Sequence, residues 1–136
     1  MEQSLGTIDR LVRATNQHDL EALTACFAED YKNETPAHPA RGFRGRAQVR
    51  RNWEQIFALV PDIHVEVVRS AVKSDNVWTE WEMRGTRRDG RSHWTRGVIV
   101  FGVSGDAIHW ARFYVEPVDE SDKTVDDAIR EQVVRQ

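Results

Sequence analysis

A-I-H-W-A-R-F-Y-V-E-P, residues 107–117, is the stretch whose reading decides the fold. Side chains on a strand alternate between two faces, and this run splits cleanly when read that way. Ala107, His109, Ala111, Phe113 and Val115 form a small, mostly apolar set suited to a core or a pocket. Ile108, Trp110, Arg112, Tyr114 and Glu116 form a set of large and charged side chains suited to a protein interface. Three more long strands precede it, over residues 63–72, 77–87 and 92–103, joined by S-D-N, D-G and S-G-D, all good hairpin turns. The second half of the chain therefore reads as an antiparallel meander.

Helices come before the meander. Ile8, Leu11, Val12 and Thr15 share one stripe over residues 5–17, and Asp19 is a good N-cap for a shorter helix carrying Leu20, Leu23, Cys26 and Phe27. Residues 31–36, Y-K-N-E-T-P, read as a short strand ended by Pro36. The Pro-, Gly- and Arg-rich residues 36–45 read as a loop bordering an opening. A third helix is expected over residues 46–59, with Val49, Trp53, Ile56, Phe57 and Val60 at helical spacing before Pro61. A last helix over residues 125–135 opens with the capping-box pattern T-V-D-D at Thr124. Helices followed by a meander make an α+β fold. Long twisted strands curl, so the expectation is a curved antiparallel sheet with helices on its concave face, a conical barrel enclosing a pocket.

Composition narrows the function classes. The 136 residues are read as one domain, and 40% hydrophobic with 30% charged content fits a soluble globular protein. A net charge of −3 argues against general nucleic-acid affinity. No apolar run approaches the roughly 20 residues that span a bilayer, and no signal-peptide pattern is visible, so no membrane association and a cytoplasmic setting are expected. The single Cys26 excludes an internal disulfide and a multi-cysteine metal site. No histidine pair has zinc spacing, and no nucleophilic triad, phosphate-cradling loop or dinucleotide fingerprint is recognisable. Neither metal nor cofactor is expected. Arginines cluster over residues 41–51 and 84–96. They suit either an anionic ligand or plain solvation and cross-strand pairing.

N-Q-H-D-L-E-A-L-T-A-C-F-A-E-D-Y (residues 16–31), then Pro36, Gly42, Gly45 and the closing R-F-Y-V-E-P (residues 112–117), resembles the nuclear transport factor 2-like superfamily across nearly the whole chain. Its members include SnoaL-like polyketide cyclases, ketosteroid isomerases and limonene-epoxide hydrolases. The resemblance implies a curved sheet with helices over its concave face, a pocket between them and usually a homodimer. It does not transfer the known activities. The position matching the isomerases' base is Thr35, and that of their oxyanion donor is Leu11. The epoxide hydrolases' Arg and two Asp fall on Trp81, Met83 and Phe113.

The same resemblance chooses which parity faces inward: Val77, Thr79, Trp81 and Met83, then His93, Thr95, Gly97, Ile99 and Phe101, then Ala111, Phe113 and Val115, with Trp53 and Phe57 closing the wall. Thr35, Trp53, Phe57, Thr79, Trp81, Met83, Phe101 and Phe113 are the candidate ligand-binding residues. Tyr31 and Asn33 share the inward parity of the short strand, where a phenol and an amide could orient a carbonyl or a water, or merely satisfy backbone groups at a rim. His93 is the inward titratable candidate for moving a proton. Its plainer reading is a partly exposed structural histidine beside the D-G hairpin. Glu116 falls on the outer face and is not a catalytic candidate. The leading expectation is a pocket protein that binds, or transforms by cofactor-free acid–base chemistry, a small mostly apolar molecule. A non-catalytic binding domain and a dimerisation scaffold stand as alternatives. The opposite face carries Trp78, Trp94, Arg96, Trp110, Arg112 and Tyr114, the residue types of binding hot spots, so the expected partner is a second copy. The competing explanation is that the last helix folds over this face.

Overall fold

The computed structural model describes residues 2–134. Helix α1 (Glu2–Asn16) is followed by α2 (Leu20–Ala25), strand β1 (Phe27–Glu34), a single 3-10 turn (Pro39–Arg41) and β2 (Phe43–Arg44). Then come α3 (Arg46–Leu59), β3 (His64–Lys73), β4 (Asn76–Thr86), β5 (Ser92–Ser104), β6 (Ala107–Pro117) and α4 (Val125–Val134). The strands form one sheet in the order β2-β1-β6-β5-β4-β3, antiparallel throughout except for the parallel pair β1–β6. The α+β class and the meander expected from the sequence are present.

Local chemistry explains the helix ends. The Asp19 carboxylate accepts from Ala22 N at 3.0 Å, capping α2 as its sequence demands. At α4, Asp127 N donates to Thr124 Oγ1 at 3.2 Å while Thr124 N donates to Asp127 Oδ2 at 3.1 Å, a reciprocal capping box. The expected end of that helix at Arg135 lies outside the described residues. Asn16 ties α1 to the exposed edge of the sheet: its amide donates to Val65 O at 2.9 Å and accepts from Val65 N at 2.8 Å. One side chain thus satisfies two edge groups of β3.

Three departures from the sequence reading concern the strands. The strand before Pro36 begins at Phe27 rather than Tyr31, and residues 36–45 are more than a loop, since Phe43 pairs with Asn33 and Arg44 with Lys32. On β6 the alternation breaks near its start. Gly102 pairs with Trp110 and Val103 with Ile108, which leaves His109 as an extra, unpaired residue. This bulge reverses the faces before it: Ile108 is fully buried in the core, and His109, assigned inward by parity, is exposed. Beyond it, Ala111, Phe113 and Val115 face inward as expected.

The core lies on the concave face. Ile8, Leu11 and Ala14 of α1, Leu23 and Cys26 of α2 and Val49 of α3 pack with Val65, Val77, Trp81, Ile99, Phe101, Val103, Ile108 and Ala111 of the sheet. On β5, Gly97 has a φ of +154°, poorly open to L side chains. There the backbone of Tyr114 and Val115 occupies the space of a Cβ. Helix α4 packs on none of this: Val125, Ile129 and Val133 are 54–74% exposed, so it does not cover the outer sheet face within the chain. Among the described residues no helix is long and apolar enough to cross a membrane.

Candidate functional site

The three helices of the concave side do not sit alike. Helix α1 lies directly on β3, β4 and β5, whereas α3 rests on α2 and β1. Beneath α3 a cavity of about 290 Å³ remains, lined by Phe27, Tyr31, Asn33 and Thr35, by Arg41 and Phe43, by Val49, Asn52, Trp53 and Ile56, and by Met83, Phe113 and Val115. Larger hollows lie on the outside of the molecule, one between α4 and the segment leading into it and another against Arg44 and Arg112.

The strap from Pro36 to Gly42 forms part of the rim and is pinned on both sides. His38 Nε2 lies 2.6 Å from Glu116 Oε1, and Gly42 sits so close to β1 that a Cβ there would be 3.2 Å from Asn33 O. The 3-10 turn, started by Pro39 and closed by Arg41 N donating to His38 O at 2.9 Å, places Arg41 on the cavity. Its guanidinium makes no ion pair or side-chain hydrogen bond among the described residues.

Two side-chain relays set the polarity of the lining. Tyr31 is 1% exposed, and burial pushes its phenol well above the ordinary tyrosine value, so it stays protonated. Its hydroxyl donates to Asn33 Oδ1 at 2.7 Å. On α3, Arg51 donates to Gln48 Oε1 at 2.6 Å, and Gln48 Nε2 donates to Asn52 Oδ1 at 2.7 Å. Because a guanidinium only donates, this relay fixes both amides. One acceptor position on each of the Asn33 and Asn52 oxygens is therefore engaged, and their Nδ2 groups are left to donate. Phe27 meets Tyr31 edge-on at 4.8 Å and Phe43 tilts against it at 6.0 Å, holding the phenol in place.

The residues expected at the site divide into four groups. Tyr31, Asn33, Thr35, Trp53, Met83 and Phe113 line this one cavity. Thr79, Trp81 and Phe101 share the inward parity but lie in solid core, between 1% and 4% exposed, with Thr79 donating to Ile99 O at 2.8 Å. Phe57 stacks on His18 at 4.8 Å and leans on Trp53 at 5.6 Å, behind the lining. His93 is apart from Tyr31 and Asn33. Strand β5 carries it toward the hairpin end, past Thr95, which pairs with Met83. There it borders a separate pocket of about 100 Å³ with Arg87, Thr95, Pro117 and Glu120. His93 Nε2 and Thr95 Oγ1 are buried without hydrogen-bond partners among the described residues. Burial, aided by the positive charge of Arg87, holds the imidazole below the usual histidine range. Among the described residues no three of His, Cys, Asp and Glu converge as a metal cage would need.

Arg41, Phe43 and Asn52 are lining residues that the sequence reading left out. Asn52 carried a usable signal: it lies on the apolar stripe Val49, Trp53, Ile56, where a polar residue points to a cavity rather than to core. Arg41 and Phe43 reach the site only through a strap whose path the sequence does not specify.

On the outer face the cross-strand rows are Trp78–Val100–Arg112, Glu80–Val98–Tyr114 and Glu82–Arg96–Glu116. Arg96 reaches Glu80 at 3.5 Å and Glu82 at 3.4 Å, and Trp94 Nε1 donates to Glu82 at 2.8 Å. That indole bond, with Arg84 and Arg96 nearby, holds the Glu82 carboxyl below the usual carboxylate range. The charges are paired within the chain, yet Trp78 remains 49% and Tyr114 45% exposed.

A SnoaL-like domain profile matches residues 8–111. No curated protein matches the chain. Among solved structures, a Mycobacterium tuberculosis protein in complex with estradiol-17beta-hemisuccinate superposes with a TM-score of 0.72 at 20% identity, over 82% of this chain and 92% of that one. A candidate SnoaL-like polyketide cyclase from Jannaschia sp. CCS1 gives 0.72 at 17% identity, over 85% and 86%. A ketosteroid isomerase-like protein from Catenulispora acidiphila in complex with trimethylamine gives 0.69 at 18% identity, over 79% and 84%. Likeness at these identities speaks for the fold alone. Together with the profile, it identifies the chain as a member of the SnoaL-like domain family.

Proposed function

We propose that this protein binds a small, mostly apolar molecule in the cavity beneath α3. The observation that carries the reading is the lining itself: aromatic and aliphatic walls from Phe27, Phe43, Trp53, Met83 and Phe113 around the Tyr31–Asn33 pair. Ligand sites combine apolar walls with a few placed polar groups in this way. Asn33, its oxygen held by Tyr31, offers an N–H to a carbonyl, ester or ether of the ligand. Neighbours in the fold hold small molecules, a steroid ester in one case and trimethylamine in another. The reading extends to the whole chain as a single domain and keeps the cytoplasmic setting expected from the sequence.

Binding is favoured over acid–base turnover because the titratable side chains on the cavity are a phenol held neutral and a guanidinium. The enzymatic reading keeps one support. His93 is a neutral imidazole near neutral pH, and its Nε2, on the same inward face, has no hydrogen-bond partner among the described residues. In that reading a ligand reaching past Met83 would exchange a proton with it. Native mass spectrometry of the purified protein tests the binding reading. A retained small molecule that is lost in Asn33→Leu and Trp53→Ala is the expected result. Its absence in every preparation, with no shift on adding apolar carbonyl compounds, would reject it.

The outer face supports a homodimer through Trp78, Trp94, Arg96, Trp110, Arg112 and Tyr114. Exposed Trp78 and Tyr114 flank a prepaired charge lattice, and α4 leaves the face uncovered. Apolar anchors inside a polar frame suit an isologous contact. Sedimentation at micromolar concentration should show a dimer that Trp110→Glu or Arg96→Glu converts to monomer. A wild-type monomer would end the idea.

A further inference from the structure

The cavity's polar groups are richer in donors than in acceptors, and no carboxylate is among them. The phenol relay engages one acceptor position of the Asn33 oxygen, and the Arg51–Gln48 relay engages one of the Asn52 oxygen. What remains toward the cavity is two amide N–H groups and the Arg41 guanidinium, with the Thr35 hydroxyl able to act either way. Arg41 is the charged residue of the lining; it stands exposed at the rim and makes no ion pair among the described residues. The strap that carries it runs into β2, which pairs with β1 at Asn33, and touches Glu116 through His38.

From this geometry we infer that the ligand's polar end is an anion, a carboxylate on a compact apolar body, with its oxygens received by Arg41 and the amides of Asn33 and Asn52. A neutral acceptor such as a carbonyl would bring no charge to meet the guanidinium. A carboxylate has about four acceptor positions and suits several converging donors, and a charge-assisted bond is roughly twice as strong as a neutral one. A cationic ligand would meet no acceptor of its charge on this lining. The inference rests on the cavity being a ligand site, and it narrows the class of ligand.

An isosteric pair of fluorescent probes tests it: naphthalene-1-acetate, anionic near neutral pH, and naphthalene-1-acetamide, its neutral counterpart. The expected result is binding of both, with the acetate about tenfold tighter, the preference vanishing in Arg41→Gln and partly restored in Arg41→Lys. Asn52→Asp should weaken the acetate more than the acetamide, since it turns a donor into a negative charge. Arg44→Gln, which removes a cation on the outer grooves rather than on the cavity, should leave the ratio unchanged. Equal affinity for the two probes, or a preference that survives Arg41→Gln, overturns the anion assignment while the binding reading stands. Failure of both probes to bind, with Trp53 fluorescence and thermal melting unmoved, overturns the two together.

Discussion

At one end of the concave face Thr79, Trp81 and Phe101 pack with Ile8, Leu11 and Ala14 of α1, none more than 4% exposed; at the other, Trp53, Met83 and Phe113 are only half-buried around a cavity. Trp81 and Met83 are successive inward residues of one strand, about 7 Å apart along it. The strand does not distinguish them. The helices do. α1 lies on the sheet and fills its end, while α3 is carried by α2 and β1 and stands off from β4 to β6. An inward-facing side chain becomes core or cavity wall according to which helix crosses above it.

The sharpest way to break this comparison is truncation at each end. Phe101→Ala should cost about 3–5 kcal/mol, since a filled site loses an aromatic ring and cannot collapse. For a domain of this size that lowers Tm by more than about 10 °C. Phe113→Ala should cost only about 1–2 kcal/mol, because part of its surface already faces the cavity, and it should change probe affinity. Equal costs in denaturant unfolding would mean that the two ends are packed alike.

A smaller effect tests the phenol relay. Tyr31→Phe keeps the ring contacts with Phe27 and Phe43 but leaves Asn33 Oδ1 without its donor, at a cost of about 1–2 kcal/mol. The pH dependence follows. The folded phenol ionises above its unfolded value of 10.0, so the unfolded state releases this proton first as pH rises. Stability is full below pH 10.0 and declines above it. Alkaline absorbance titration of the native protein should therefore show no Tyr31 phenolate where a free phenol ionises. A Tyr31 phenolate appearing there in the folded protein would remove the premise of the relay.

The smallest effect belongs to the hairpin end. Thr95 Oγ1 is buried without a partner among the described residues, so Thr95→Val, nearly the same shape, should be neutral or stabilising by up to about 1 kcal/mol. A clear destabilisation would show that the hydroxyl is bonded and that this pocket is wet. His93, beside it, is kept neutral. Its contribution is present above the ordinary histidine value of 6.5 and falls away as pH drops, because the unfolded imidazole takes up a proton first. Proton NMR of the imidazole should show a midpoint below 6.5.

Much of this molecule is written locally. The helix starts at Asp19 and Thr124, the span of α3 ending before Pro61 and the three hairpin turns depend on neighbours within a few residues, so capping and periodicity are enough to read them. Alternation likewise separates the outer row of Trp78, Glu80 and Glu82 from the inner row of Val77, Thr79 and Trp81. What the chain does not state locally is register across strands and the height of helices above the sheet. The bulge at His109 lies where β6 passes Gly102 of β5, a position whose Cβ space the Trp110 indole occupies. That is a relation between residues on two strands, and counting along one cannot reveal it. The strap that brings Arg41 beside Asn33 is likewise held by Glu116 and by the backbone of β1. Period-two patterning thus sorted the strand side chains beyond the bulge into two faces, and the family resemblance chose the inward one. Tertiary packing alone decided which of them surround a cavity, because a gap is set by how far apart distant elements are held.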